Sequence, residues 1–365
     1  MKFVSGDKVF FMLVLCIVFA GLAIFSSAAL GLLARESSSV SKDILLQAGL
    51  GLGLGFLALF LARAVPLAII KRLSPYLYAA AILFTALVFV PGIGFQSGGA
   101  TRWIDLGLTT VQPAEFLKIG FVLALAWWLA PRARQLADRR KGLLPFIVIL
   151  LIPSAILLAQ PNTSTTILLF ATGAAMYYAA GAPWRDFWIL TLAVVIALTV
   201  VISARPYAME RIKTFIDPSA KALTSGYQIQ QSLIAIGSGG LLGRGFGQSV
   251  EKFNYLPEPS GDSIFAVFGE EAGFIGAILL IMLFLALSAR GIAIAGHSHD
   301  LFGGLIALGF SFIILFQAFI NIGAMLGMIP LTGMPLPFIS HGGTALVAAL
   351  IMCGLILNVA AHKKS

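Results

Sequence analysis

Val9-Phe-Phe-Met-Leu-Val-Leu-Cys-Ile-Val-Phe-Ala-Gly-Leu-Ala-Ile-Phe-Ser-Ser-Ala-Ala-Leu-Gly-Leu-Leu-Ala34 contains no charged residue. About 20 apolar residues in a helix cross the roughly 30 Å hydrocarbon layer of a bilayer, so this stretch reads as a membrane span. Lys2 and Lys8 flank it, and the small residues Ser26 to Ala29 are compatible with a cleaved signal peptide. The run is too long for a signal core of about 7 to 15 residues, which makes it an uncleaved first span.

Working outward, similar runs recur at about 44–62, 75–91, 112–130, 143–160, 164–181, 187–204, 263–289, 302–324 and 340–361. The sequence therefore predicts an all-α polytopic membrane protein of ten transmembrane helices, with a large extracellular loop at about 205–262 between helices 7 and 8. Composition agrees. Of 365 residues, 59% are hydrophobic and 11% charged, and the mean hydropathy is +0.99. A soluble domain carries roughly 25% charged residues, so that class is excluded. No fixed-period repeat and no separate soluble domain interrupt the pattern, which leaves one membrane domain over 1–365.

The net charge of +9 is a question of topology before it is one of nucleic-acid binding. With the N-terminus in the cytoplasm, the inside segments collect Lys2, Lys8, Arg63, Lys71, Arg72, Arg132, Arg134, Arg139, Arg140, Lys141, Arg185, Arg290, Lys363 and Lys364. The short outside loops hold only Arg35, Lys42 and Arg102. This bias predicts that both termini are cytoplasmic. It leaves six cations, Arg205, Arg211, Lys213, Lys221, Arg244 and Lys252, in the long outer loop. Orientation statistics lose force over so long a loop, which makes function the first explanation of its basic character. Within it, Ser225 to Ile236 reads as helix, Gly237 to Gly247 as a glycine-rich loop, and Tyr255 to Pro259 as an extended or turning link.

Several chemistries drop out. The glycine-rich run lacks the sixth-position glycine of a dinucleotide fingerprint, and neither a phosphate-binding Gly-Lys-Ser/Thr nor a His-Glu-x-x-His occurs. Cys16 and Cys353 lie inside apolar runs and read as packing residues. His297, His299 and Asp300 read as a solvated turn, and Gly49, Gly51, Gly53 and Gly55 as a small-residue face for helix packing.

Charges in or beside spans carry more information, because each costs about 2.5 to 3.5 kcal/mol at a helix centre. Glu115 and Lys118, spaced i, i+3, form either a structural ion pair or a polar lining shared with Arg102 and Asp105. Glu270 and Glu271 point about 100° apart on one helix, which favours helix-to-helix hydrogen bonding over a shared catalytic target. Asp262 sits where the basic loop becomes the eighth helix. Alone it reads as a helix N-cap. With Glu258, Arg244 and Lys252 near it in sequence, it also suits a general base beside an anionic leaving group.

Five segments are recognisable together: Gly98-Gly-Ala-Thr-Arg-Trp-Ile-Asp-Leu-Gly107, Gln112-Pro-Ala-Glu-Phe-Leu-Lys118, Tyr255-Leu-Pro-Glu258, Gly261-Asp-Ser-Ile-Phe-Ala-Val-Phe-Gly-Glu-Glu271 and Pro335-Leu-Pro-Phe-Ile-Ser-His-Gly-Gly343. In this order, over about residues 9–360, they resemble the SEDS family of FtsW, RodA and SpoVE proteins. The resemblance implies a ten-helix fold that polymerises lipid II into glycan at the outer face of the bacterial cytoplasmic membrane. It implies Asp262 as the catalytic carboxylate and Arg102 and Lys118 in the substrate cavity. Glu115, Arg244, Lys252, Glu258 and Ser340 are candidates for the same substrate site.

The chain departs from the family where His-Thr-Asp-Phe becomes Ser260-Gly-Asp-Ser263. Pro-Asp-x-Gly-Thr becomes Pro161-Asn-Thr-Ser-Thr165, and His341 stands for a tyrosine. The expected partners are lipid II, a class B penicillin-binding protein and other divisome membrane proteins, with no nucleic acid. No ligand cluster calls for a metal, although a divalent cation could assist the pyrophosphate. Two motifs, 99–107 and Gln248-Ser-Val-Glu-Lys252, look more like FtsW than RodA. The rival readings are a lipid II flippase, a noncatalytic scaffold and a RodA-type elongation paralogue.

Overall fold

The computed structural model describes residues 7–33, 49, 51–97, 100–105, 110–204, 206–218 and 226–362. Lys2, Arg35, Lys42, the start of the second predicted span at 44–48, Gly98, Gly107, Arg205, Lys221, Ser225, Lys363 and Lys364 lie outside the described residues. The helices are α1 (Lys8–Leu33), α2 (Leu52–Ala64), α3 (Leu67–Ala86), α4 (Pro113–Leu129), α5 (Leu143–Ala159), α6 (Thr163–Ala179) and α7 (Trp184–Ala204). They continue with α8 (Pro206–Ile216), α9 (Tyr227–Ser238), α10 (Glu251–Asn254), α11 (Ile264–Gly296), α12 (Leu301–Met325) and α13 (Gly343–Ala361). Among the described residues six helices, α1, α3, α4, α11, α12 and α13, are long and apolar enough to cross a membrane, and α2 and α5 are shorter apolar helices. Each predicted span overlaps a helix, with ends that differ by several residues in places.

The all-α expectation needs one correction. Between α3 and α4 the chain forms a three-stranded antiparallel sheet of β1 (Gly94–Ser97), β2 (Ala100–Asp105) and β3 (Thr110–Val111). Phe95 pairs with Trp103 and Ile104 with Val111, and Ile104 and Val111 are buried. Strands of two to six residues are far below the length of an apolar run that marks a span, so a hydropathy reading passes over them. The long loop is also more ordered than expected. The helix foreseen at Ser225 to Ile236 is α9, but α8 and the single turn α10 were not foreseen.

The centre of the bundle is α4 and α12. Most of α4 is buried, including Glu115 and Lys118, and α12 packs against α4, α6, α11 and α13. Lipid tails are as apolar as leucine, so helices associate in a membrane by close packing rather than by escape from water. In the small-residue face of α2, Gly55 meets Leu350 of α13, whereas Gly49 and Gly53 face open space. Packing thus uses one side of that glycine run.

The backbone of α11 breaks at Gly273, which has φ 64° and ψ −166°. The two helical bonds lost there would have joined Phe274 and Ile275 to the carbonyls of Glu270 and Glu271. Instead, the Phe274 and Ile275 amides donate to Gly240 O (2.9 Å) and Leu241 O (3.2 Å) of the glycine-rich loop. In return, the Arg244 and Gly245 amides donate to Glu270 O and Glu271 O, both at 3.0 Å. The loop therefore satisfies these four groups at the kink, as a non-aqueous setting demands.

This backbone clasp needs glycine on both sides. A Cβ on Gly243, whose φ is +80°, would lie 2.1 Å from Glu271 O, and one on Gly273 would lie 2.3 Å from Gly243 N. Gly243→Ala is expected to destabilise the fold by roughly 1 to 3 kcal/mol through positive φ and overpacking. Thermal unfolding in detergent reads the loss. An unchanged midpoint would show that the clasp can open without penalty.

Candidate functional site

Asp262 lies in the turn before α11. It is not the helix cap: the N-cap of α11 is Ser263, whose side chain makes no capping bond. The Asp262 backbone is nevertheless pinned. Asn321 of α12 donates through Nδ2 to Asp262 O and to Met334 O, both at 2.8 Å. Ser340 Oγ donates to Gly261 O (2.7 Å) and accepts from Leu336 N (2.7 Å), and His341 N donates to Ser260 O at 2.7 Å. The strap from Leu331 to His341 is thereby laced to the turn that carries the aspartate.

Released from capping, the Asp262 side chain faces a cavity of about 230 Å³ that is also lined by Glu210, Arg211, Thr214, Gln228 and Gly333. Gln228 Nε2 donates to Asp262 Oδ1 at 3.1 Å and to Ser263 Oγ at 2.9 Å. Arg211 Nη1 donates to Leu331 O at 2.6 Å. A Cβ on Gly333 would sit 3.7 Å from Arg211 Nη2 and 3.8 Å from Asp262 Oδ2. A guanidinium and a carboxylate thus flank one glycine on the cavity wall. Burial pushes the Asp262 carboxyl up to about 6. The Gln228 hydrogen bond opposes that rise, the Glu258 charge adds to it and Arg211 opposes it. A half-buried acid of this kind can accept a proton near neutral pH.

The other sequence candidates sort differently. Lys118 and Glu115 form an ion pair at 2.7 Å, and Lys118 also donates to Gln317 Oε1 at 2.7 Å. Gln317 Nε2 in turn donates to Pro335 O at 3.0 Å. The pair is structural, and with Ser340 it also borders a narrow cleft under the strap, but Arg102 and Asp105 do not line that cleft with it as the alternative reading had it. Arg102 donates to the carbonyls of Gln160 (3.2 Å) and Pro161, holding β2 to the turn before α6. Asn162 caps α6 by accepting from Thr165 N at 3.3 Å, a task that asparagine and aspartate perform equally well. Glu258 is exposed and reaches Asp262 through its charge.

Arg244 and Lys252 are not at this cavity. Lys252, 0% exposed, pairs with Glu271 Oε1 at 2.6 Å and donates to Ser27 Oγ at 3.0 Å, and Ser27 donates to Glu271 at 2.7 Å. Arg244 pairs with Glu270 at 3.1 Å, and Glu270 accepts from Ser249 Oγ (2.6 Å), Val250 N (3.1 Å) and Glu251 N (3.3 Å). Two carboxylates set into an apolar helix each demand a cation, and the loop supplies both. The helix-to-helix bonding expected of Glu270 and Glu271 is present for Glu271 through Ser27, and the loop takes the rest. Among the described cations of the loop, Arg211 is the one that lines the cavity with Asp262. Only the register of α8 distinguishes it.

The fold and cavity define a helical membrane protein with a perturbed carboxylate beside an arginine at one end of its bundle. Residues 7–365 match the family described as cell cycle protein, FtsW/RodA/SpoVE. Stage V sporulation protein E of Bacillus subtilis is 38% identical over 86% of this chain and 85% of its own. An Alcanivorax borkumensis protein named "Probable peptidoglycan glycosyltransferase FtsW" is 36% identical over 98% of this chain and 93% of its own. Among solved structures, one described under "Structural coordination of polymerization and crosslinking by a peptidoglycan synthase complex" superposes with TM-score 0.81 at 28% identity over all of both chains. The Thermus thermophilus rod shape determining protein RodA superposes with TM-score 0.73 at 28% identity, also over all of both chains. The chain belongs to the FtsW/RodA/SpoVE family.

Proposed function

We propose that this protein is an inverting peptidoglycan glycosyltransferase that polymerises lipid II at the outer face of the bacterial cytoplasmic membrane. In this reading it has ten spans and cytoplasmic termini. The observation that carries the proposal is the Asp262 carboxylate, relieved of capping and held in a cavity beside Arg211. A sugar hydroxyl of the acceptor attacks the anomeric carbon of the lipid-linked donor sugar. The new C–O bond forms as the bond to undecaprenyl pyrophosphate breaks, and the hydroxyl proton passes to Asp262. Arg211 supplies positive charge where the leaving pyrophosphate gains negative charge. Asn321, Ser340, Gln317 and the Glu115–Lys118 pair fix the strap and turn that aim the carboxylate. The likeness to FtsW proteins and to the peptidoglycan synthase complex supports a class B penicillin-binding protein as transpeptidase partner, and the likeness to FtsW proteins supports a role in division. A fluorescent fusion at midcell supports the division role, and one spread along the side wall assigns elongation.

The deciding assay places purified protein with lipid II in liposomes. A polymerase yields a ladder of lengthened products, whereas a flippase moves labelled lipid across the bilayer without lengthening it. A cavity beside the start of α11, rather than half-way along it, favours the ladder.

The acidity of Asp262 sets a pH limb. The base is competent when ionised, so activity is half-maximal near pH 6, rises to its full value above that and falls as pH drops further. The fall approaches about tenfold per pH unit. Rates of polymerisation from pH 5 to 8 test this, and a flat profile across that range would contradict it.

A further inference from the structure

The glycine-rich loop that clasps α11 carries large apolar side chains with nothing over them. Leu241 is 70% exposed, Leu242 79% and Phe246 65%. In water such a cluster would be a liability. Its depth suggests another setting. At the far end of α11, Arg290 forms a bidentate pair with Asp7 at 3.0 and 2.7 Å, which places that level at the polar edge of the bilayer. Counting back along the helix at 1.5 Å per residue, roughly 30 Å of hydrocarbon reaches about residue 270. The clasp joins the loop to α11 at Glu270 through Ile275, so the loop tip lies at and just below that boundary.

Two further features fit the same depth. The outward face of α11 continues the apolar surface below the loop, with Phe274 60% and Leu279 65% exposed. Arg244, 41% exposed and paired with Glu270, stands where lipid headgroups would be. Non-helical backbone is tolerated at membrane depth where its polar groups are bonded to protein, and the clasp provides such bonds for the carbonyls of Gly240 and Leu241 and the amides of Arg244 and Gly245. Side chains this exposed project from the surface. A partner helix would dock instead in a groove of small residues.

We propose that Leu241, Leu242 and Phe246 anchor the glycine-rich loop among the acyl chains of the leaflet on the Asp262 side, where it enters the membrane beside the kink of α11. The loop named extracellular from sequence is then partly a membrane element. It tethers the segment leading through Lys252 to Asp262 at a fixed depth. The inference stands apart from the catalytic reading, since lipid contact is measured without substrate.

The test uses the full chain with Cys16→Ala and Cys353→Ala, in nanodiscs of phosphatidylethanolamine and phosphatidylglycerol. A nitroxide on Leu242→Cys is compared with labels on Leu279→Cys and Glu258→Cys, by power saturation with oxygen and with a water-soluble nickel chelate. The expected result is that the label at 242, like the one at 279, is open to oxygen and closed to nickel. A match to the label at 258 overturns the proposal. So does a label closed to both reagents, which would mean that protein covers the loop. Leu241→Cys and Phe246→Cys repeat the measurement if Leu242→Cys does not fold.

Discussion

Asp262→Asn is expected to insert and fold like the parent protein and to make no detectable glycan from purified lipid II. The amide keeps the shape of the carboxyl, and its oxygen can still accept from Gln228, which donates to Oδ1 at 3.1 Å. The bond from Asn321 goes to the backbone carbonyl and is unaffected. Burial penalises the charged carboxyl in the parent, so the neutral amide leaves stability equal or slightly raised. Only proton acceptance is lost. General base assistance is worth about 10² to 10⁴ in rate, or roughly 3 to 5.5 kcal/mol of barrier. Gel analysis of products, beside thermal unfolding of the same preparation, separates lost chemistry from lost fold. A product ladder at the parental rate would remove the base from the mechanism.

Lys252→Met is the change with the largest expected effect on stability. Lys252 is buried against Glu271, and without it the carboxylate keeps only Ser27 and a long bond from Ser249 N at 3.4 Å. An uncompensated buried charge costs about 3 to 5 kcal/mol. Removing the charge as well, in Lys252→Met with Glu271→Gln, is expected to recover most of the loss, because the amide still accepts from Ser27. The two residues are 19 positions apart, with Asp262 about half-way between them. The single variant should therefore also impair polymerisation, in parallel with its lower unfolding midpoint. If single and double variants unfold at the same lowered temperature, packing rather than charge explains the site.

The apolar helices were legible because a hydrocarbon layer imposes a length and an apolarity that any single segment displays by itself. Asp262 was legible as an acid at a loop-to-helix junction, and Glu270 and Glu271 as charges too expensive to stand alone. The sheet at 94–111 was not, since its strands are short and their pairing depends on partners elsewhere in the chain. Asp262's escape from capping was hidden for a similar reason: Ser263, one residue later, takes the cap position once the turn is folded.

Sequence by itself therefore determined the solvent this protein lives in, the places of its apolar helices and the acid at the loop-to-helix junction on which the proposed reaction rests. Tertiary structure decided which cation meets which carboxylate. Arg244 and Lys252, close to Asp262 along the chain, turn to Glu270 and Glu271, and Arg211, more distant in sequence, stands at the cavity instead. The reason is physical. Charge pairing acts through space and strengthens as water is excluded, so the partners are chosen by the packed fold and not by proximity along the chain.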